Sequence, residues 1–118
     1  MSDLADVEIR TEGAVSVLRF RGEIDFSTAS ELEDRVRDAA RDAAAVLVDL
    51  TAVTFVDSAG VRLLDHLAAD LGTRTPWLVA TTDPGTVRFT LALCGFPVDR
   101  LVATPEAGLD ALTDPKEW

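Results

Sequence analysis

The stretch AVLVDLTAVTFVDSAGVRLLDHLAADLG, residues 45–72, begins as an apolar run and ends as a patterned helix. Val46, Leu47, Val48 and Leu50, interrupted only by Asp49, have the length and β-branched content of a strand buried on both faces. From Val61 the period changes. Val61, Leu64, Leu67, Ala68 and Leu71 share one helical face, Arg62, Asp65 and Asp70 lie elsewhere, and Gly72 is placed to close the helix at C′. The polar corner between the two, Asp57-Ser58-Ala59-Gly60, is therefore a helix N-terminus. Ser58 sits where a hydroxyl caps a helix, or one residue inside. It also sits at the carboxyl end of a strand beside Ala59 and Gly60, small residues that leave room for another molecule to approach. A phosphate there would meet free backbone N–H groups and the positive end of the helix dipole.

Outward from this stretch, strands and helices alternate. Residues 7–10 and 15–21 are β-type runs around Thr11-Glu12-Gly13, which predicts an antiparallel hairpin. Gly22-Glu23-Ile24-Asp25 (GEID) ends its second strand. The helix that follows has Thr28 and Glu31 at capping-box spacing, with Ser27 as a competing cap. Its apolar stripe is Ala29, Leu32, Val36, Ala39 or Ala40, and Ala43, and Glu31–Arg35 and Glu33–Arg37 are i,i+4 pairs on its wet side.

On the other side, residues 76–80 read as a buried strand ended by Asp83-Pro84-Gly85. Val87, Leu91 and Cys94 mark a short helix stopped by Gly95 and Pro97, and residues 101–103 are a last strand. Thr104-Pro105-Glu106 starts a helix that ends near Leu112. Residues 113–118 are expected to form a loose tail, in which Trp118 has the bulk to fold back onto the body. The sum is an α/β fold: a small mixed sheet, parallel apart from its N-terminal hairpin, covered by about four helices. A single domain over 1–118, with its core at about 7–112, follows from a length of 118 residues and 47% hydrophobic content.

Eleven basic against 21 acidic residues give a net charge of −10, which disfavours nucleic acid and anionic membranes as partners. No stretch is long enough for a membrane span, and the N-terminus MSDLADVEIR lacks the build of a secretion signal, so cytoplasmic residence is the default. The lone Cys94 fits a reducing compartment and reads as a small apolar residue packed in a helix's last turn.

Catalytic constellations are missing. The single His66 lies eight residues beyond Ser58 on the same helix, about 12 Å of rise away, so a Ser–His pair is out of reach. There is no phosphate-binding Gly-rich loop. Asp25 and Asp57 follow neighbouring parallel strands and should emerge at one sheet edge, but no third ligand for a metal accompanies them. The expectation is a non-enzymatic protein without cofactor or metal, whose working part is a surface. Loops 22–27, 51–60 and 81–85 should cluster at the carboxyl edge of the sheet. Phe26 is expected to stand exposed there as a partner's anchor, and Phe55 to turn inward as core.

FVDSAGVRLL, residues 55–64, following VLVDL and paired with GEID before the first helix, resembles the STAS-domain proteins that act as anti-sigma factor antagonists. The resemblance runs over roughly 7–112, including a Leu-rich helix closed by CGF near Cys94 and a final helix after Thr104-Pro105. It implies a partner switch. Unphosphorylated members bind an anti-sigma factor that is also a serine kinase of the histidine-kinase-like ATPase fold, which frees a sigma factor. Phosphorylation at the serine of the Asp-Ser corner ends the binding, and a phosphatase resets it. Carried over, Ser58 is the phosphoacceptor, and Asp25, Phe26, Ser27, Asp57, Ser58, Ala59, Gly60 and Arg62 form the partner-binding surface. Many relatives have a second serine in place of Ala59, a small residue in place of Arg62, and histidines in place of Phe26-Ser27. Two other functions stay open at this point. One is a STAS subunit of a larger signalling or lipid-transport assembly that binds an ATPase constitutively; the other is a small nucleotide-binding domain using the same sheet edge.

Overall fold

The computed structural model describes residues 4–113. Its first two strands, β1 (Ala5–Glu12) and β2 (Val15–Ile24), pair antiparallel through a two-residue turn, Gly13-Ala14, with Glu12 opposite Val15. Gly13 sits at φ 60°, the left-handed region that such a turn demands and that glycine enters without steric cost. β3 (Ala45–Val56), β4 (Trp77–Ala80) and β5 (Leu101–Val102) continue the sheet in parallel, in the order β1-β2-β3-β4-β5.

Helices α1 (Ala29–Arg41), α2 (Ser58–Leu71) and α3 (Thr86–Leu93) cover one face and α4 (Pro105–Thr113) the other. Alternation along β3 serves both layers. Val46, Val48 and Leu50 join Leu18, Phe20, Leu32 and Leu64 on the three-helix side. Ala45 and Leu47 join Val15, Val17, Leu78 and Leu112 on the α4 side. The expected strand with two buried faces is therefore present.

Both central strands outrun their sequence reading. β2 continues through GEID to Ile24, and residues 51–56, read as loop, are strand. Two register shifts account for this: Arg19 pairs with Asp49 but Arg21 with Ala52, and Gly22 pairs with Val53 but Glu23 with Phe55. Each inserts an extra β3 residue, a β-bulge that interrupts the alternation a strand is recognised by. Asp49 holds the first bulge. Its carboxylate is fully buried and accepts from the Thr51 amide at 2.9 Å and the Thr51 hydroxyl at 2.6 Å, with Arg19 at 3.4 Å. On either side of the second bulge Val53 and Val56 are buried while Phe55 is 48% exposed, which overturns its placement in the core.

Three further readings need correction. The α1 capping box does not form, because the Thr28 hydroxyl donates to the Glu23 carbonyl at 2.9 Å and accepts from the Asp25 amide at 3.0 Å. Ser27 does not cap either; its hydroxyl donates to Asp25 at 2.6 Å. Cys94, expected in the core, is exposed at the C-cap of α3. The core position beyond α3 is filled instead by buried Phe96, edge-on to Trp77 at 6.1 Å.

The α1 stripe is buried at Ala29, Leu32, Val36 and Ala40, with Ala40 rather than Ala39; Ala43 falls beyond the end of the helix and is half-buried, and Glu33–Arg37 pair at 3.3 Å. A 3₁₀ turn at Val98–Arg100 has no counterpart in the sequence reading. Thr104 accepts from the Ala107 amide at 3.1 Å, so α4 starts as its Thr-Pro signature predicts. Thr113, read as the first residue of the tail, is the last residue of α4, and the rest of that tail, 114–118 with Trp118, lies outside the described residues. Among the described residues no helix is long and apolar enough to cross a membrane.

Candidate functional site

Parallel pairing of β2 with β3 ends at Ile24 opposite Val56, so the chain leaves the sheet twice at one place. Asp25 and Asp57 emerge side by side, as their positions after neighbouring strands predict. The Asp57 amide donates to the Ile24 carbonyl at 3.3 Å and ties the two exits together.

Asp57, not Ser58, is the N-cap of α2. Its Oδ1 accepts from the Ala59 amide at 2.8 Å and the Gly60 amide at 3.2 Å. Its Oδ2 accepts from the Phe26 amide in the other loop at 3.2 Å. One carboxylate thus satisfies two of the orphan donors of a helix start and one amide of the β2–α1 loop. Ser58 is left as the first helical residue, exposed, with no hydrogen bond from its hydroxyl among the described residues.

Gly60 is buried, and the room it leaves is already filled. A Cβ there would lie 2.5 Å from the Ile24 carbonyl oxygen and 2.8 Å from Val56 Cγ1. Glycine is needed so that α2 can start against the end of β2, and the expectation that Gly60 clears space for an incoming molecule does not hold.

In the adjoining loop Asp25 accepts from the Ser27 hydroxyl at 2.6 Å and the Ser27 amide at 2.9 Å. The Ser27 hydroxyl, with the Ser27 amide and Thr28 adding, holds the Asp25 carboxyl below the usual carboxylate range. Phe26, between the two aspartates, is 84% exposed. Together with Ala59, Arg62 and Leu63 of α2 and Ser30 and Asp34 of α1 it borders a groove of about 330 Å³ between the two helices. Ala59 is half-buried and packed on the main core; Arg62 is exposed, one turn along α2 from Ser58. His66, one turn further, is exposed, with Nδ1 3.1 Å from Glu33.

The third loop, 81–85, lies at the same sheet edge, where Thr82 and Gly85 face Val53 and Thr54 across a hollow of about 240 Å³. Two exposed rings near this edge went unforeseen. Phe55 is turned out by the second bulge, and Phe89 stands off the Val87–Leu91 stripe of α3, a spacing that the sequence does display. Chemically the corner offers an unengaged hydroxyl, two carboxylates, a bare aromatic ring and the Arg62 guanidinium. That set suits recognition and modification better than bond-making within the chain.

A family model described as the STAS domain matches residues 6–103. Over 71 residues the chain is 34% identical to the anti-sigma-F factor antagonist RsfB of Mycobacterium tuberculosis, covering 59% of this chain and 58% of RsfB. The match thus spans little more than half the length of those curated relatives. Among solved structures, an anti-sigma factor antagonist from Mycobacterium paratuberculosis is 31% identical with TM-score 0.85, covering 93% of this chain and 95% of the other. The anti-sigma factor antagonist SpoIIAA in its unphosphorylated form is 20% identical with TM-score 0.72, covering 89% and 94%. In its phosphorylated form it is 19% identical with TM-score 0.65, covering 89% and 97%. At that identity the likeness is one of fold.

Proposed function

This chain belongs to the STAS domain family, and on that premise we propose that it is an anti-sigma factor antagonist, a non-enzymatic protein whose binding is controlled at Ser58. Unmodified, it docks on an anti-sigma factor that is also a serine kinase of the histidine-kinase-like ATPase fold, which frees a cytoplasmic sigma factor. The kinase moves the γ-phosphoryl group of ATP to the Ser58 oxygen, leaving ADP and a proton, and the complex parts. A phosphatase acting on phospho-Ser58 restores the binding form.

The observation that carries this reading is the division of labour at the corner: Asp57 caps α2, so the neighbouring Ser58 hydroxyl is exposed and holds nothing in place. A hydroxyl in that position can be modified without loss of a structural bond. The similarity to the two mycobacterial anti-sigma factor antagonists supports the assignment of partner class. Asp25, Phe26, Ser27, Asp57, Ala59 and Arg62 would form the contact surface, with the Phe26 ring as its apolar anchor.

Electrostatics supply the switch. A phosphoserine adds about −1.5 to −2 charges at neutral pH, next to Asp57 and against a partner that carries its own nucleotide. Like charges brought together cost several kcal/mol, and each 1.4 kcal/mol is about tenfold, so affinity should fall by roughly two to three orders of magnitude without a change of fold. Incubation with the cognate kinase and ATP, followed by peptide mass spectrometry, should place one phosphate on Ser58 and none on Ser58→Ala. An unmodified Ser58 in a complex shown to be kinase-active overturns the reading.

A further inference from the structure

We infer that Arg62 is the intramolecular receiver of a phosphate placed on Ser58, a positioning residue that reads the modification within α2; this rests on the proposed modification of Ser58. The two residues stand at i and i+4 of one α-helix, Ser58–Leu71, and both are exposed. Side chains at that spacing are neighbours, and an anion N-terminal to its cation is the favourable order. Arg62 makes no hydrogen bond or ion pair among the described residues, whereas Arg37 across the groove is engaged by Glu33 and Asp34. A planar guanidinium can grip two phosphate oxygens at once.

Two of the backbone amides at the start of α2, those of Ala59 and Gly60, do not compete for this role, because they are already held by Asp57. The phosphate would face anions at the cap: Asp57 beside it and Asp25 in the adjoining loop. From α1, Glu33, Asp34 and Arg37 face the groove, and His66 follows one turn along α2, bonded to Glu33. Of the cations here, Arg62 is the one in helical register with Ser58. Pairing with the phosphate draws Arg62 off the groove it shares with Phe26 and Leu63, so one modification alters the proposed docking face at two points.

The test installs phosphoserine at position 58 by genetic encoding, in the full chain, and follows its second ionisation by phosphorus NMR. The midpoint should lie about 0.5 unit lower in the otherwise unchanged protein than in Arg62→Gln, with Arg62→Lys recovering most of the shift. In 1 M salt the difference should shrink, since the pair is exposed. Equal midpoints in the two phosphoproteins, both folded by circular dichroism, overturn the inference. Because no kinase is used, that result leaves the proposed function standing. Failure of the kinase to modify Ser58, conversely, leaves the titration difference intact.

Discussion

At the corner, two adjacent residues do opposite things. Asp57 spends its carboxylate on three backbone amides, and Ser58 spends its hydroxyl on none. Ser58→Ala should therefore leave unfolding by urea within about 0.5 kcal/mol of the parent, as expected for an exposed substitution that breaks no bond. It should also retain the proposed partner while no longer accepting the proposed phosphate. Asp57→Ala should cost about 1–2 kcal/mol by the same measurement, because a helix cap is lost and the Phe26 amide is released.

A third aspartate, Asp6 on β1 opposite Arg21, contributes to the acid limb of stability. The Arg35 guanidinium, with the Val7 amide and Arg21 adding, holds Asp6 down to about 2. Its folded value lies below its unfolded value of 3.8, so its contribution is complete above that pH and is lost as pH falls through about 2. Carboxyl carbon NMR should find the Asp6 midpoint near 2, and Arg35→Gln should move it back toward 3.8.

At the scale of elements, the meeting of α2 with the end of β2 is a close contact built on Gly60. Alanine at 60 would gain about 1 kcal/mol of helix propensity. Its methyl would also meet a backbone carbonyl at 2.5 Å, and such overpacking costs about 1–3 kcal/mol. The carbonyl belongs to a paired strand and cannot swing aside, so the steric cost should win, and Gly60→Ala should melt at a lower temperature.

The order of strands and helices, the corner and the start of α4 are legible because each is encoded in neighbouring residues: Val-rich alternation, helical spacing from Val61, the Thr104-Pro105 pair. The far half of β3 is not legible. Its two bulges are set by pairing with β2, and a bulge erases the period that marks a strand. Phe55 is misplaced for that reason. Cys94 is misplaced for another: α3 buries only Val87 and Leu91, and Phe96 closes the core in its stead. Thr28 has capping spacing but is drawn into the GEID loop by Glu23 and Asp25, a tertiary competition that local sequence does not reveal.

For the whole molecule, a sheet with helices on both faces leaves its carboxyl edge as the place where loops gather. A net charge of −10 surrounds that edge with a negative field. If the proposed partner presents a basic face, association should be steered, and its rate should drop by about tenfold between low and high salt while dissociation changes little. Stopped-flow measurements across a salt series decide this, and a salt-independent association rate would remove electrostatic steering from the account.

The bond from the Phe26 amide to Asp57 has a practical corollary. That single N–H is a built-in gauge of events on the next helix, since its nitrogen and proton frequencies sense the charge and orientation of the carboxylate that also orders the turn where phosphorylation is proposed. One cross-peak in a two-dimensional spectrum should thus report occupancy in real time, with no dye, tag or engineered probe.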